Sequence, residues 1–88
     1  SPLQNLMAGR ILRFQMVLKD LAGLLSSILT IFADSGANIL TINQTIPQNG
    51  CAVVVITAET NDLTCSVEEL LKHVEQTTGV VRAEIVAG

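Results

Sequence analysis

Tryptophan and tyrosine are absent from this chain, and phenylalanine occurs only at Phe14 and Phe32. A sheet that binds RNA stacks bases on exposed aromatics, and both phenylalanines fall on apolar stripes that face a core. Basic residues are scarce as well: Arg10, Arg13, Lys19, Lys72 and Arg82 are the whole set, and the net charge is −3. Phosphate binding needs clustered Lys and Arg, so no nucleic-acid partner is expected. Two cysteines, Cys51 and Cys65, are too few for a secreted disulfide scaffold and too far apart for a CxxC metal or redox pair. Reduced thiols in a cytoplasmic protein, with no metal and no cofactor, are the plain reading. His73 is the sole histidine, which leaves no Ser-His-Asp or Cys-His set for nucleophilic catalysis. The apolar stretches around Val53–Ile56 and Leu24–Phe32 are too short or too interrupted to span a bilayer. No charged n-region leads into an apolar h-region, so neither a membrane partner nor a signal peptide is read.

What is present is a surplus of apolar side chains. Of 88 residues, 49% are hydrophobic and 15% charged, and the mean hydropathy is positive. This length allows one domain that buries roughly 60–65% of its unfolded surface, so partner contact is the natural outlet for the excess. The chain starts without Met and is read as a piece of a longer protein. Residues 1–9, with Pro2, Asn5 and Gly9, form a lead-in whose Leu3, Leu6 and Met7 can tack onto a surface; residues 10–88 form the domain.

Arg10 to Leu18 alternates, with Leu12, Phe14, Met16 and Leu18 on one face and Arg13 and Gln15 on the other, which predicts a strand with one buried face. Leu21–Ser35 switches to helical spacing, with Leu25, Ile28, Leu29 and Phe32 as its stripe. Gly36 stands where helices stop in the left-handed conformation. Ile39–Ile46 is β-branched and reads as a second strand, and Asn49-Gly50 signals a hairpin. Cys51–Ala58 is nearly continuously apolar, as in a strand packed on both sides. Ser66 and Glu69 make a capping box for a helix carrying Val67, Leu70, Leu71 and Val74, ended by Gly79. Val80–Val86 alternates again, with Val81, Ala83 and Ile85 set against Arg82 and Glu84.

The order β-α-β-β-α-β with right-handed crossovers predicts an α+β fold. It is a ferredoxin-like sandwich with a four-stranded antiparallel sheet and both helices on one face. Strands one and three take the centre and Ile39–Ile46 an edge. The bare face receives Val17 and alternate members of Val53–Ile56, and the edge strand has no Lys and no Pro before Pro47. Both features point to a homodimer or higher assembly, unless Leu3–Met7 folds over that face. Two polar corners, Asp20-Leu21-Ala22-Gly23 and Gly36-Ala37-Asn38-Ile39, are expected at neighbouring places at one end of the sheet. Amides at a helix start hold carboxylates, and Asp20 and Asn38 add oxygens and an amide. A free amino acid suits such corners.

These corners, in that strand order, resemble the ACT domain, a small-molecule-binding regulatory module frequently attached to enzymes of amino-acid metabolism. The segment Asn38–Pro47 with Gly9-Arg10-Ile11 upstream is similar to stand-alone ACT proteins named chorismate-mutase-like and linked to phenylalanine biosynthesis. The resemblance covers residues 2–88 and implies an effector site between two subunits. The turn after strand one in one subunit, Asp20, Leu21, Ala22, Gly23 and Leu24, would face Asn38 and Ile39 at the start of strand two in the other. Asp20 would accept from the ligand ammonium, the Gly23 and Leu24 amides would donate to its carboxylate, and Asn38 would bridge either. Ala22 departs from the proline usual in the family; proline presets φ near −65°, so this turn is less rigid.

Plainer roles stay open for the same residues. Asp20 can cap the following helix, Gly23 and Gly36 can serve geometry alone, and Asn38 can bond local backbone. His73 and Lys72 read as solvated, and Glu68 and Glu69 as residues that complement a helix dipole. A chorismate mutase would need several cations around a dianion; Arg10, Arg13 and Arg82 lie on adjacent strands without further polar partners, so an enzyme is not expected. A dimerisation scaffold with no effector is the remaining alternative to an amino-acid sensor.

Overall fold

The computed structural model describes residues 10–87; the lead-in read over residues 1–9 lies outside them. The elements run β1 (Ile11–Lys19), α1 (Leu24–Asp34), β2 (Asn38–Gln44), β3 (Cys51–Glu59), α2 (Val67–Glu75) and β4 (Val80–Ala87). The sheet order is β2-β3-β1-β4 with every pair antiparallel, as the βαββαβ reading requires.

Period-two alternation sets the core. In the β1–β3 ladder Leu12 faces Ala58, Phe14 faces Ile56, Met16 faces Val54 and Leu18 faces Ala52, and all eight are buried. Against this row both helices lay their apolar sides: Leu24, Ile28 and Phe32 from α1, Leu70 and Val74 from α2. Phe14 and Phe32 meet edge to face with centroids 5.1 Å apart, the arrangement the ring quadrupoles favour. The two aromatics are therefore spent inside the sandwich.

Several sequence expectations shift. The α1 stripe is narrower than the sequence reading: Leu24, Ile28 and Phe32 are buried, while Leu25 and Leu29 are half-buried at its side, and α1 starts at Leu24 and not Leu21. β3 is buried on one face only, with Val53, Val55 and Thr57 half-accessible on the other; its apolar run reflects one core face plus one that no described residue covers. In β4 a bulge between the Val17 and Leu18 pairings sets Val80 opposite Leu18 and leaves Val81 out of the ladder. Only Ala83 is buried there: Val81 is exposed at the bulge, and Ile85, in phase with Ala83 and opposite Phe14, is still partly exposed on the edge strand. The second helix ends at Glu75, before Gly79.

The local signals hold elsewhere. Asn49 and Gly50 have φ of 55° and 79°, the two left-handed residues of a type I′ hairpin. Ser66 Oγ accepts from the Glu69 amide at 3.1 Å, and Glu69 Oε1 accepts from the Ser66 amide at 3.4 Å, closing the capping box. After α1 the chain turns at Gly36, φ 85°, with its amide donating to Ala33 O at 3.1 Å and that of Ala37 to Phe32 O at 3.0 Å. A Cβ on Gly36 would strike the Asp62 carbonyl, whereas Gly23, φ 80°, has open space around it.

Gly36→Ala is therefore expected to destabilise the domain by more than Gly23→Ala, whose cost is the left-handed penalty alone, about 1–2 kcal/mol. Phe32→Ala is expected to cost about 3–5 kcal/mol. Urea denaturation midpoints of the three variants check both statements.

Candidate functional site

The chain leaves β1 at Lys19 and re-enters a helix at Leu24, and the corner between them is built from backbone. Asp20 donates its amide to Gly50 O at 2.8 Å, Leu21 to Lys19 O at 2.9 Å and Leu24 to Leu21 O at 3.2 Å. Gly23 occupies the N-cap position in a left-handed conformation, and no side chain caps the helix. The possible role of Asp20 as cap is thus ruled out by position: it lies three positions before Gly23, and its carboxylate stands exposed. Among the described residues the amides of Ala22, Gly23, Leu25 and Ser26 have no acceptor, as expected at an uncapped helix start. Of the two amides expected to meet a carboxylate, Gly23 is free and Leu24 is occupied. The Leu24 side chain belongs to the core, so that residue offers the site little.

A recess of about 40 Å³ opens beside this corner, with Asp20, Leu21, Leu24, Leu25 and Gln44 among its lining. It combines the Asp20 carboxylate with leucine side chains, and of the residues with free helix-start amides only Leu25 lines it; Ala22, Gly23 and Ser26 lie outside the recess. Gln44, at the far end of β2, was not singled out by sequence; the signal that could have found it is topological. Because β2 runs parallel to β1 on the other side of β3, its last residues end beside the end of β1.

The same topology separates the two polar corners. Lys19 pairs with Cys51 at one end of β3, and Asn38 pairs with Glu59 at the other, roughly 26 Å away at strand rise. The expectation that both corners share one end of a single sheet is therefore corrected: α1 carries the chain back along the sheet before β2 begins. At its own end Asn38 donates from Nδ2 to Glu59 Oε1 at 2.7 Å, which replaces the local backbone bond considered for it. Ile39 is half-buried against the core.

Elsewhere the chemistry is sparse. Arg13 sits opposite Thr57, and Arg82 opposite Val17, about 13 Å apart along the strand, so the arginines do not converge. Cys51 and Cys65 are free and half-buried, and His73 is exposed. Among the described residues no group of His, Cys, Asp or Glu could hold a metal ion, and no helix is long and apolar enough to cross a membrane. A broader groove of about 550 Å³ lies on the bare face under the hairpin, lined by Val17, Thr45, Ile46 and Val53 among others.

The ACT domain family model matches residues 12–64. A UPF0735 ACT domain-containing protein of Caldicellulosiruptor saccharolyticus is 49% identical over 77 residues, covering 88% of this chain and 51% of that protein. Its counterpart in Acetivibrio thermocellus is 44% identical over 86 residues, covering 98% and 58%. The chain thus spans little more than half the length of these curated relatives. Among solved structures, the ACT domain of GTP pyrophosphokinase from Chlorobium tepidum superposes with a TM-score of 0.69 at 17% identity, covering 86% of this chain and 96% of that one. The acetolactate synthase small subunit of Thermotoga maritima gives 0.71 at 23%, covering 86% and 47%. These two likenesses speak for the fold. With the βαββαβ sheet, the helix-start corner after β1 and the family match over most of both, the chain belongs to the ACT domain family.

Proposed function

We propose that this chain is the amino-acid-sensing module of a cytoplasmic regulatory protein and works as a dimer joined along β2. The observation that carries the reading is the Asp20 corner, where an exposed carboxylate suits an ammonium and the unpaired helix-start amides beside it suit a carboxylate. The recess of about 40 Å³ in one chain has room for about one water, so the ligand lies between two protomers. Leu21 and Leu25 at the rim of the recess suit an apolar side chain. Phenylalanine is the first candidate, by the resemblance of Asn38–Pro47 to proteins linked to its biosynthesis.

The dimer supplies what one chain lacks. β2 is an edge strand with Leu40 and Ile42 exposed at 44% and 41% and no charged residue between Asn38 and Gln44. An antiparallel pair of β2 strands sets the start of one beside the end of the other. That brings Asn38 of a second copy to Gln44, which lines the recess, and so rebuilds the two-corner site across the interface. Burying Leu40 and Ile42 there contributes on the order of 1 kcal/mol each.

A second reading, a dimerisation scaffold without effector, is favoured by two bonds already made: Leu24 N to Leu21 O and Asn38 Nδ2 to Glu59 Oε1. A ligand must compete with both. An enzyme reading gains nothing from the dispersed arginines, and chorismate is expected to pass unchanged through the purified protein.

Calorimetric titration with the twenty amino acids separates the readings. The sensor is expected to give saturable heat with at least one apolar amino acid, weakened more than tenfold (~1.4 kcal/mol) by Asp20→Ala; silence for all twenty leaves the scaffold. Asp20→Ala is expected to hold the unfolding free energy within about 0.5 kcal/mol, since it caps nothing, whereas Ser66→Ala loses about 1 kcal/mol.

A further inference from the structure

The opposite margin of the sheet carries a code of its own. β4 is the other edge strand, paired only with β1 among the described residues. Irregularities at either end leave Arg82–Ile85 as its regular stretch, with Arg82 opposite Val17, Ala83 opposite Met16, Glu84 opposite Gln15 and Ile85 opposite Phe14. Arg82 and Glu84 therefore stand on the bare face, one on each side of Ala83, and both are exposed. Val81, Ile85 and Val86 beside them are 57%, 39% and 45% exposed.

From this spacing we infer that β4 is a second self-association edge, whose occupant is another copy of the same strand, antiparallel about a two-fold axis at Ala83. In that register Arg82 lies opposite the partner's Glu84, and Glu84 opposite the partner's Arg82, on the same face of one continuous sheet. The exposed Ile85 of each copy comes to the end of the other's regular stretch, next to the bulge at Val81. A slip of the pairing in either direction that keeps the faces matched sets Arg82 against Arg82 or Glu84 against Glu84, and like charges directly opposite are unfavourable. A foreign strand without the mirrored charges leaves both unpaired at the edge, which is how edge charges deter pairing. The ion pairs are exposed and individually weak; they choose register and partner, while the backbone ladder and the apolar flanks hold the strands together. β2 has no such charges, so the two edges are chemically distinct, and a chain using both builds assemblies larger than a dimer.

This inference does not rest on the β2 pairing, and the experiment keeps them apart. Ile42→Lys places a charge on the β2 edge and is expected to reduce the assembly while leaving a dimer in sedimentation equilibrium. In that background Arg82→Glu and Glu84→Arg are each expected to raise the dissociation constant about tenfold, and the double reversal R82E/E84R to restore it. Circular dichroism confirms that each variant is folded. A folded Ile42→Lys protein that is monomeric at all concentrations, or a dimer indifferent to all three charge variants, overturns the β4 interface. An Ile42→Lys protein with unchanged mass overturns the β2 pairing alone.

Discussion

The register between β1 and β3 is the constraint on which the rest depends. Leu12, Phe14, Met16 and Leu18 meet Ala58, Ile56, Val54 and Ala52 on one face, and a slip by one residue would send every one of them to the other. With that ladder fixed, β1 and β3 hold the centre of the sheet, both helices take the buried side, and the remaining strands fall to the edges. The corner at Asp20 then lies at one end of the sheet and the start of β2 at the other. Neither the bare face nor the two open edges is an independent feature, because all follow from covering one side of a four-stranded sheet with two helices.

Helix ends show how the domain divides stability from availability. α2 begins with a full capping box, Ser66 with Glu69, and with Glu68 in its first turn; its orphan amides are partly satisfied from within. α1 begins with Gly23, without a capping side chain and without an acid in its first turn. The amides of Ala22, Gly23, Leu25 and Ser26 are left facing out, with the helix dipole adding partial positive charge. A helix start so exposed costs local stability, and it leaves unpaired amides next to the Asp20 corner.

The two edges are open in different ways. β2 is uncharged and bears exposed Leu40 and Ile42. β4 has irregular pairing at both ends and bears Arg82 and Glu84 at a two-residue spacing. An apolar content of 49% goes with one sheet face that no described residue covers.

The sequence by itself determined the element order, the inward rows of β1, the Asn49-Gly50 turn, the Ser66 cap and the stop at Gly36, because each is written in residues close together in the chain. It also carried the family resemblance through the two polar corners. Only the tertiary structure decided that those corners sit about 26 Å apart in one chain, that Leu24 is core and its amide occupied, that Asn38 bonds Glu59, and that Gln44 lines the recess. It likewise decided that Val81 is pushed out of the ladder. The physical reason is common to all of these: they depend on strand register and crossover direction, which relate residues distant in sequence, and no local pattern of side chains encodes which residue lies opposite which.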